Sequence, residues 1–111
     1  MDSIEKKYYK IREVAELTGM APSALRYWET QFNIIKPKRN AKGSRFYTPD
    51  DVEKIRMVQY LVKERGLKIE AAREQIKHNH SGVSRHAQAV EHLKEIRAEL
   101  VAMLDALNSL R

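Results

Sequence analysis

Residues 11–32 read IREVAELTGMAPSALRYWETQF, and the spacing within this stretch decides the fold. Ile11, Val14, Ala15 and Leu17 recur at helical intervals and predict a first short helix with one apolar side. Thr18-Gly19-Met20 interrupts the pattern, and Gly19 can adopt the positive φ of a sharp inter-helix turn. Pro22 suits the first position of a second helix, where a missing N–H costs nothing. On that helix Leu25, Trp28 and Phe32 form a bulky inner stripe, while Ser23, Arg26, Tyr27 and Thr30 line another side. Hydroxyls and a guanidinium on a short helix can donate to phosphates and base edges in a major groove, as in a helix-turn-helix. The same pattern also fits an ordinary helical hairpin with a solvated polar side.

The segment that follows, residues 33–49, cannot be one helix because Pro37 and Gly43 interrupt it. Lys36, Lys38, Arg39, Lys42 and Arg45 put five basic side chains in ten residues, with no acid among them. Ile34-Ile35 and Phe46-Tyr47 flank this run, and Asn40 and Gly43 supply turn chemistry. Two short strands closing on a basic loop, a wing, are expected. Its tip would reach backbone phosphates or a minor groove.

Charge is unevenly placed. Residues 1–48 hold 10 basic and 5 acidic side chains, a net +5, whereas residues 49–111 hold 11 and 10, a net +1. The first half is therefore the one expected to face a polyanion. The chain has no cysteine, which excludes disulfides and thiolate metal sites and suits a reducing compartment. It shows neither a signal-peptide h-region nor an apolar run long enough to span a membrane. His78 and His80 form a lone His-x-His, and His86 and His92 are not at i, i+4, so no metal site is expected. There is no phosphate-binding glycine loop and no nucleophile motif, so neither a cofactor nor an enzyme activity is expected. Residues 1–7 are expected to fray, and Tyr8-Tyr9 to pack on the first helix or start a strand.

Thr48-Pro49-Asp50-Asp51 opens a third helix, with Thr48 as cap and the aspartates opposing the positive end of the dipole. Val52, Ile55, Val58, Leu61 and Val62 form its inner side, and Gly66 stops it after Arg65. A fourth helix over about Ile69 to Lys77 brings Ile69, Ala72 and Ile76 to the same core. His78 to Ser84 reads as a linker by composition. Beyond it Ala89, Leu93, Ile96, Leu100, Met103, Leu107 and Leu110 follow alternating 4-3 spacing, a heptad seam. Such a helix has nothing of its own to bury against, so a second copy is the expected partner; folding back on the domain is the alternative.

With these parts in view, the chain resembles the MerR family. The matching text is YKIREVAELTG, LRYWE and KPKRNAKGSRFYTPDDVEKIRMVQYLVKERGLKIEAAREQI, over roughly residues 9–77. The resemblance implies a mainly α fold: a winged helix-turn-helix of about four helices with a small β-hairpin wing, and a long C-terminal dimerisation helix. The expected division is residues 1–77 for DNA binding, 78–84 for a linker and 85–111 for a coiled-coil helix. It implies a cytoplasmic, nucleoid-associated bacterial regulator that binds double-stranded promoter DNA. The expected assembly is a homodimer through an antiparallel coiled coil, with Leu93, Ile96, Leu100, Met103, Leu107 and Leu110 at the contact. In that family the dimer bends and untwists the promoter, realigning its elements for RNA polymerase. Arg26 and Tyr27 match backbone-contacting positions of the recognition helix, Arg45 and Tyr47 the wing's Arg-x-Tyr, and Lys38 and Arg39 its basic arm. With Ser23, Thr30 and Lys42 these make the expected DNA-binding set.

The chain departs from the family pattern in places. Ala21 and Ala24 stand where Ser and Thr are usual, Gln31-Phe32-Asn33 where a glycine commonly follows, and Lys68 where a Ser caps the fourth helix. No sensor domain is evident up to Arg111, as in a truncated or a naturally short form. That keeps a second role open, a DNA-bending accessory protein of a phage or mobile element resembling an excisionase. A third reading is a coiled-coil adaptor whose charge serves solubility.

Overall fold

Two helices meeting at a glycine turn carry the fold, in a computed structural model that describes residues 7–110. The polar start expected to fray lies outside these residues except for its last, Lys7. Helix α1 spans Ile11–Thr18 and α2 spans Pro22–Gln31. Gly19 caps α1 at φ 73°, a conformation that a Cβ would disfavour. Val14, Leu25, Trp28 and Phe32 are buried, as the helical spacing requires. Trp28 and Phe32 meet edge to face at 6.3 Å. Leu17 is exposed instead; Thr18 takes the inner position, its hydroxyl donating to the Val14 carbonyl at 2.8 Å.

Three short strands make one antiparallel sheet: β1 (Tyr9–Lys10), β2 (Lys38–Arg39) and β3 (Arg45–Tyr47), in the order β1-β3-β2. The wing's first strand is thus Lys38–Arg39, not Ile34-Ile35. Ile35 is drawn into the core, and its N–H donates to the Phe32 carbonyl. Tyr9 pairs with Tyr47 and Lys10 with Phe46; Lys38 pairs with Phe46 and Arg39 with Arg45.

Helix α3 (Pro49–Gln59) starts at a reciprocal cap. The Thr48 hydroxyl accepts from the Asp51 N–H at 3.1 Å, and the Asp51 carboxylate accepts from the Thr48 N–H at 3.0 Å. Asp51 is thus a capping group, while Asp50 lies in the first turn and pairs with Lys54 at 2.7 Å. Beyond Gln59 the helix widens into a π-turn, Tyr60–Glu64, before Gly66 turns the chain at φ 70°. Met57 is fully buried beside the expected Ile55, Val58 and Leu61, because α3 packs against α1, β3 and the C-terminal helix.

Helix α4 spans Ile69–His78 and buries Ala72 and Ile76. Helix α5 runs from His80 to Asn108, about 44 Å at the usual rise. The composition of residues 78–84 suggests a linker, but these residues are helical apart from Asn79. The Asn79 side chain caps α5 by accepting the Gly82 N–H at 3.3 Å. Val83 and Ala87 are buried in the core, so the domain body extends into the first turns of α5.

The cap positions just before α2 and α4 are Ala21 and Lys68, each extended in φ and ψ but with no side-chain cap bond. Ala21→Ser and Lys68→Ser are each expected to add about 0.5–1 kcal/mol of stability, and Thr48→Ala to remove about 1–2 kcal/mol. Urea unfolding checks this as midpoint shifts at unchanged slope.

Candidate nucleic-acid interface

Burying Leu25, Trp28 and Phe32 turns the opposite side of α2 outward. Ser23, Arg26, Tyr27 and Thr30 are all exposed there, Tyr27 by 53%. Arg26 has no carboxylate partner among the described residues, so its guanidinium is available. The Thr30 hydroxyl donates back to the Tyr27 carbonyl at 2.6 Å and accepts from Gln31 at 3.3 Å, leaving little of it for a base edge.

Sheet alternation sorts the wing into two faces. Lys10, Phe46 and Lys38 lie opposite one another on one face; Tyr9, Tyr47, Arg45 and Arg39 lie on the other. That second face meets α2 at Glu29. The Arg39 guanidinium donates to Glu29 Oε1 and Arg45 Nε to Glu29 Oε2, both at 2.7 Å. The two arginines differ in cover: the Arg39 side chain is 52% exposed, Arg45 21% and Glu29 13%. Tyr47 is expected to contact DNA, but it is fully buried with its hydroxyl 3.5 Å from Glu29 Oε2. Its role in the structure is to fill the junction between wing and recognition helix. Glu29 lies within the quoted LRYWE motif, yet sequence reasoning gives it no role. The signal that could have found it is the period of two, which sends Arg45 and Tyr47 to the same side.

At the wing tip the Asn40 side chain accepts the N–H groups of Lys42 and Ser44 at 2.9 and 3.0 Å, an Asx-type turn. Lys42 is thereby held out in solvent. Lys38 is also exposed, its ammonium 5.9 Å from the Tyr8 ring centroid. Lys36, Lys38 and Lys42 have no acidic partner among the described residues. The structure thus brings together Arg26, Tyr27, Lys38 and Lys42 as accessible groups beside the clamped Arg39 and Arg45. Lys10, across the sheet from Lys38, joins the cationic face without having been expected there.

The C-terminal helix presents a different surface. Leu93, Ile96, Leu100, Met103, Leu107 and Leu110 are 38–80% exposed, with Val101 and Leu104 beside them. The inner half of α5 is bolted down. Ser84 donates to Glu53 at 2.7 Å, Arg56 pairs with Glu91 at 2.9 Å, and Lys94 with Glu64 at 2.7 Å. Among the described residues no group of three or more His, Asp or Glu converges as a metal site would require, and no helix is long and apolar enough to cross a membrane.

Comparison with known proteins agrees with this geometry. A family model described as MerR HTH family regulatory protein matches residues 9–79. The chain is 35% identical over 69 residues to the HTH-type transcriptional repressor CarA of Myxococcus xanthus, covering 61% of this chain and 24% of that protein. It is 30% identical over 100 residues to the putative heat shock protein HspR of Streptomyces coelicolor, covering 87% and 58%. The chain thus spans about a quarter or less of the length of CarA and of its relative CarH. In fold it is similar to a MerR family regulator from Bacillus cereus, with a TM-score of 0.55, 23% identity and coverage of 88% and 78%. It is also similar to HiNmlR, a MerR family regulator lacking the sensor domain, bound to promoter DNA: TM-score 0.54, 22% identity, coverage of 91% and 85%.

The Tyr47 phenol is pushed up to about 12 from 10.0, first by burial and then by the charge of Glu29, with Arg45 opposing. Below pH 10 folded and unfolded chains both hold this proton. As pH rises from about 10 to 12 the unfolded chain releases it first, so stability falls, by up to about 2–3 kcal/mol. Tyr47→Phe is expected to flatten this alkaline limb, read by urea unfolding across the same pH range.

Proposed function

We propose that this chain, which belongs to the MerR family of helix-turn-helix regulators, is a sequence-specific transcriptional regulator that binds double-stranded promoter DNA as a homodimer. The carrying observation is the outer side of α2, where Arg26 and Tyr27 are exposed beside a wing whose Lys38 and Lys42 have no acidic partner among the described residues. In this reading α2 enters the major groove and the wing lysines take flanking phosphates. Ser23 is the small polar group nearest the start of the recognition helix and reads base edges.

The bare stripe from Leu93 to Leu110 supports the dimer. Eight large apolar side chains on one projecting helix would otherwise stay in water. An antiparallel pair of α5 helices covers both stripes and sets the separation of the two recognition helices. The dimer bends or untwists the operator so that two half-sites meet its fixed spacing, and RNA polymerase then reads the altered promoter. Such a regulator works in the cytoplasm.

Affinity for duplex DNA is expected to fall steeply with salt. With about 6–10 phosphates neutralised, it drops by about 10³–10⁵ between about 50 and 200 mM. Fluorescence anisotropy on a labelled promoter duplex measures this, and a flat response overturns the proposal. Arg26→Ala weakens cognate and random duplexes alike and lowers the salt slope by about 1. Leu100→Lys places a charge in the stripe and is expected to give monomers by sedimentation, with loss of half-site cooperation in a footprint. A footprint between promoter elements is the pattern expected of a regulator; one at an attachment site would favour the recombination role.

A further inference from the structure

Glu29 holds two arginines of unequal freedom on one carboxylate. Arg45 is largely covered and reaches Oε2 through Nε; Arg39 is half in solvent and reaches Oε1 through its terminal nitrogen. A carboxylate and a DNA phosphate offer a guanidinium the same kind of anionic oxygen pair. Arg39 can therefore exchange one for the other with a side-chain movement. Its departure does not strand Glu29 as a lone buried charge, because Arg45 stays bonded and the Tyr47 hydroxyl lies 3.5 Å away.

We propose that Glu29 is a specificity-determining residue, an internal stand-in for a DNA phosphate that surrenders Arg39 only to a duplex docked in register. The inference rests on the DNA-binding reading and adds a conditional contact to it. In the free protein Arg39 is neutralised, so a misplaced duplex gains nothing from it. On a correctly seated duplex a backbone phosphate comes within reach, Arg39 transfers, and Arg45 remains on Glu29 to keep the wing in place. The wing's cations thus divide by task. Lys38 and Lys42 attract any duplex, while Arg39 rewards the right one.

The test uses the full chain and two labelled duplexes, one of random sequence and one recovered by repeated selection for tight binding. Arg39→Gln is expected to weaken the selected duplex by about fivefold, with a salt slope lower by about 1. On the random duplex it changes affinity by less than about twofold. Glu29→Gln is expected to tighten the random duplex by about fivefold and the selected one by less, so discrimination falls. In the Glu29→Gln background, Arg39→Gln then weakens both. A Glu29 that only props up the wing predicts the opposite sign, loss on both duplexes. That loss in a folded Glu29→Gln protein, or equal costs of Arg39→Gln on both duplexes, overturns the inference. Should Glu29→Gln fail to fold, Arg39→Gln alone decides, since Arg39 is at the surface. A wild-type chain indifferent to both duplexes overturns the regulator reading and this one with it. Wild-type binding with an unselective Arg39→Gln overturns this one only.

Discussion

The shared carboxylate of Glu29 fixes where the wing stands relative to the recognition helix. The wing strands are short, two residues in β2 and three in β3, and a hairpin of that size is marginal in water. Two external supports hold it. Strand β1 completes a three-stranded sheet through Tyr9 and Lys10, and Glu29 reaches from α2 to the arginines of both wing strands. Because Glu29 is one helical step from Trp28, whose ring is buried in the core against Phe32, the clamp is anchored to a helix seated in the core. Without it the wing would still be held by β1 and by the buried Tyr47, but Arg39 and Arg45 would lose their shared tie to α2.

That junction explains what was and was not legible in the chain. The helices announce themselves through periodicity, Gly19, Pro22 and the Thr48–Asp51 box, because each is a local device whose geometry is complete within a few residues. Leu25, Trp28 and Phe32 could be assigned to the core for the same reason. The wing arginines could not be assigned from charge alone. A run of five cations with no acid inside it reads as solvent-facing, and the acid that pairs with Arg39 and Arg45 lies 10 and 16 residues upstream. Likewise His78 to Ser84 has the composition of a linker, yet Asn79 is a helix cap and Val83 a core residue. Composition reports solvation, and here a tertiary contact with α3 and α4 outweighed it.

Helix α5 belongs to two environments in one continuous rod. Its inner turns are part of the domain, with Val83 and Ala87 in the core and Ser84 and Glu91 bonded to α3. Its outer turns bear the apolar stripe, with Glu95, Arg97, Glu99 and Asp105 exposed among it. No hinge separates them, since the helix is unbroken from His80 to Asn108. Had residues 78–84 been a flexible linker, a dimer through α5 would have left each DNA-binding domain free to reorient. An uninterrupted helix instead ties domain orientation to helix pairing.

A path from α5 to α2 runs through named contacts within the domain. Lys94 and Glu91 on α5 hold Glu64 and Arg56 on the α3 rod. On α3, Gln59 donates to the Thr18 carbonyl at 2.6 Å, satisfying the open end of α1. Helix α1 packs directly on α2 across the Gly19 turn. From the other side Arg73 of α4 donates to the Gln31 carbonyl at 2.8 Å, closing the end of α2. The C-termini of two short helices are thus points at which the rest of the protein grips them. Each bond is modest alone, the one at Gln31 being open to solvent and the one at Thr18 partly covered. In a dimer built on the α5 stripe, a change in the crossing of the paired helices would pass along these bonds to the pitch of α2. Within the domain the orientation of α2 is thus tied to α5 through side chains remote from its outer face.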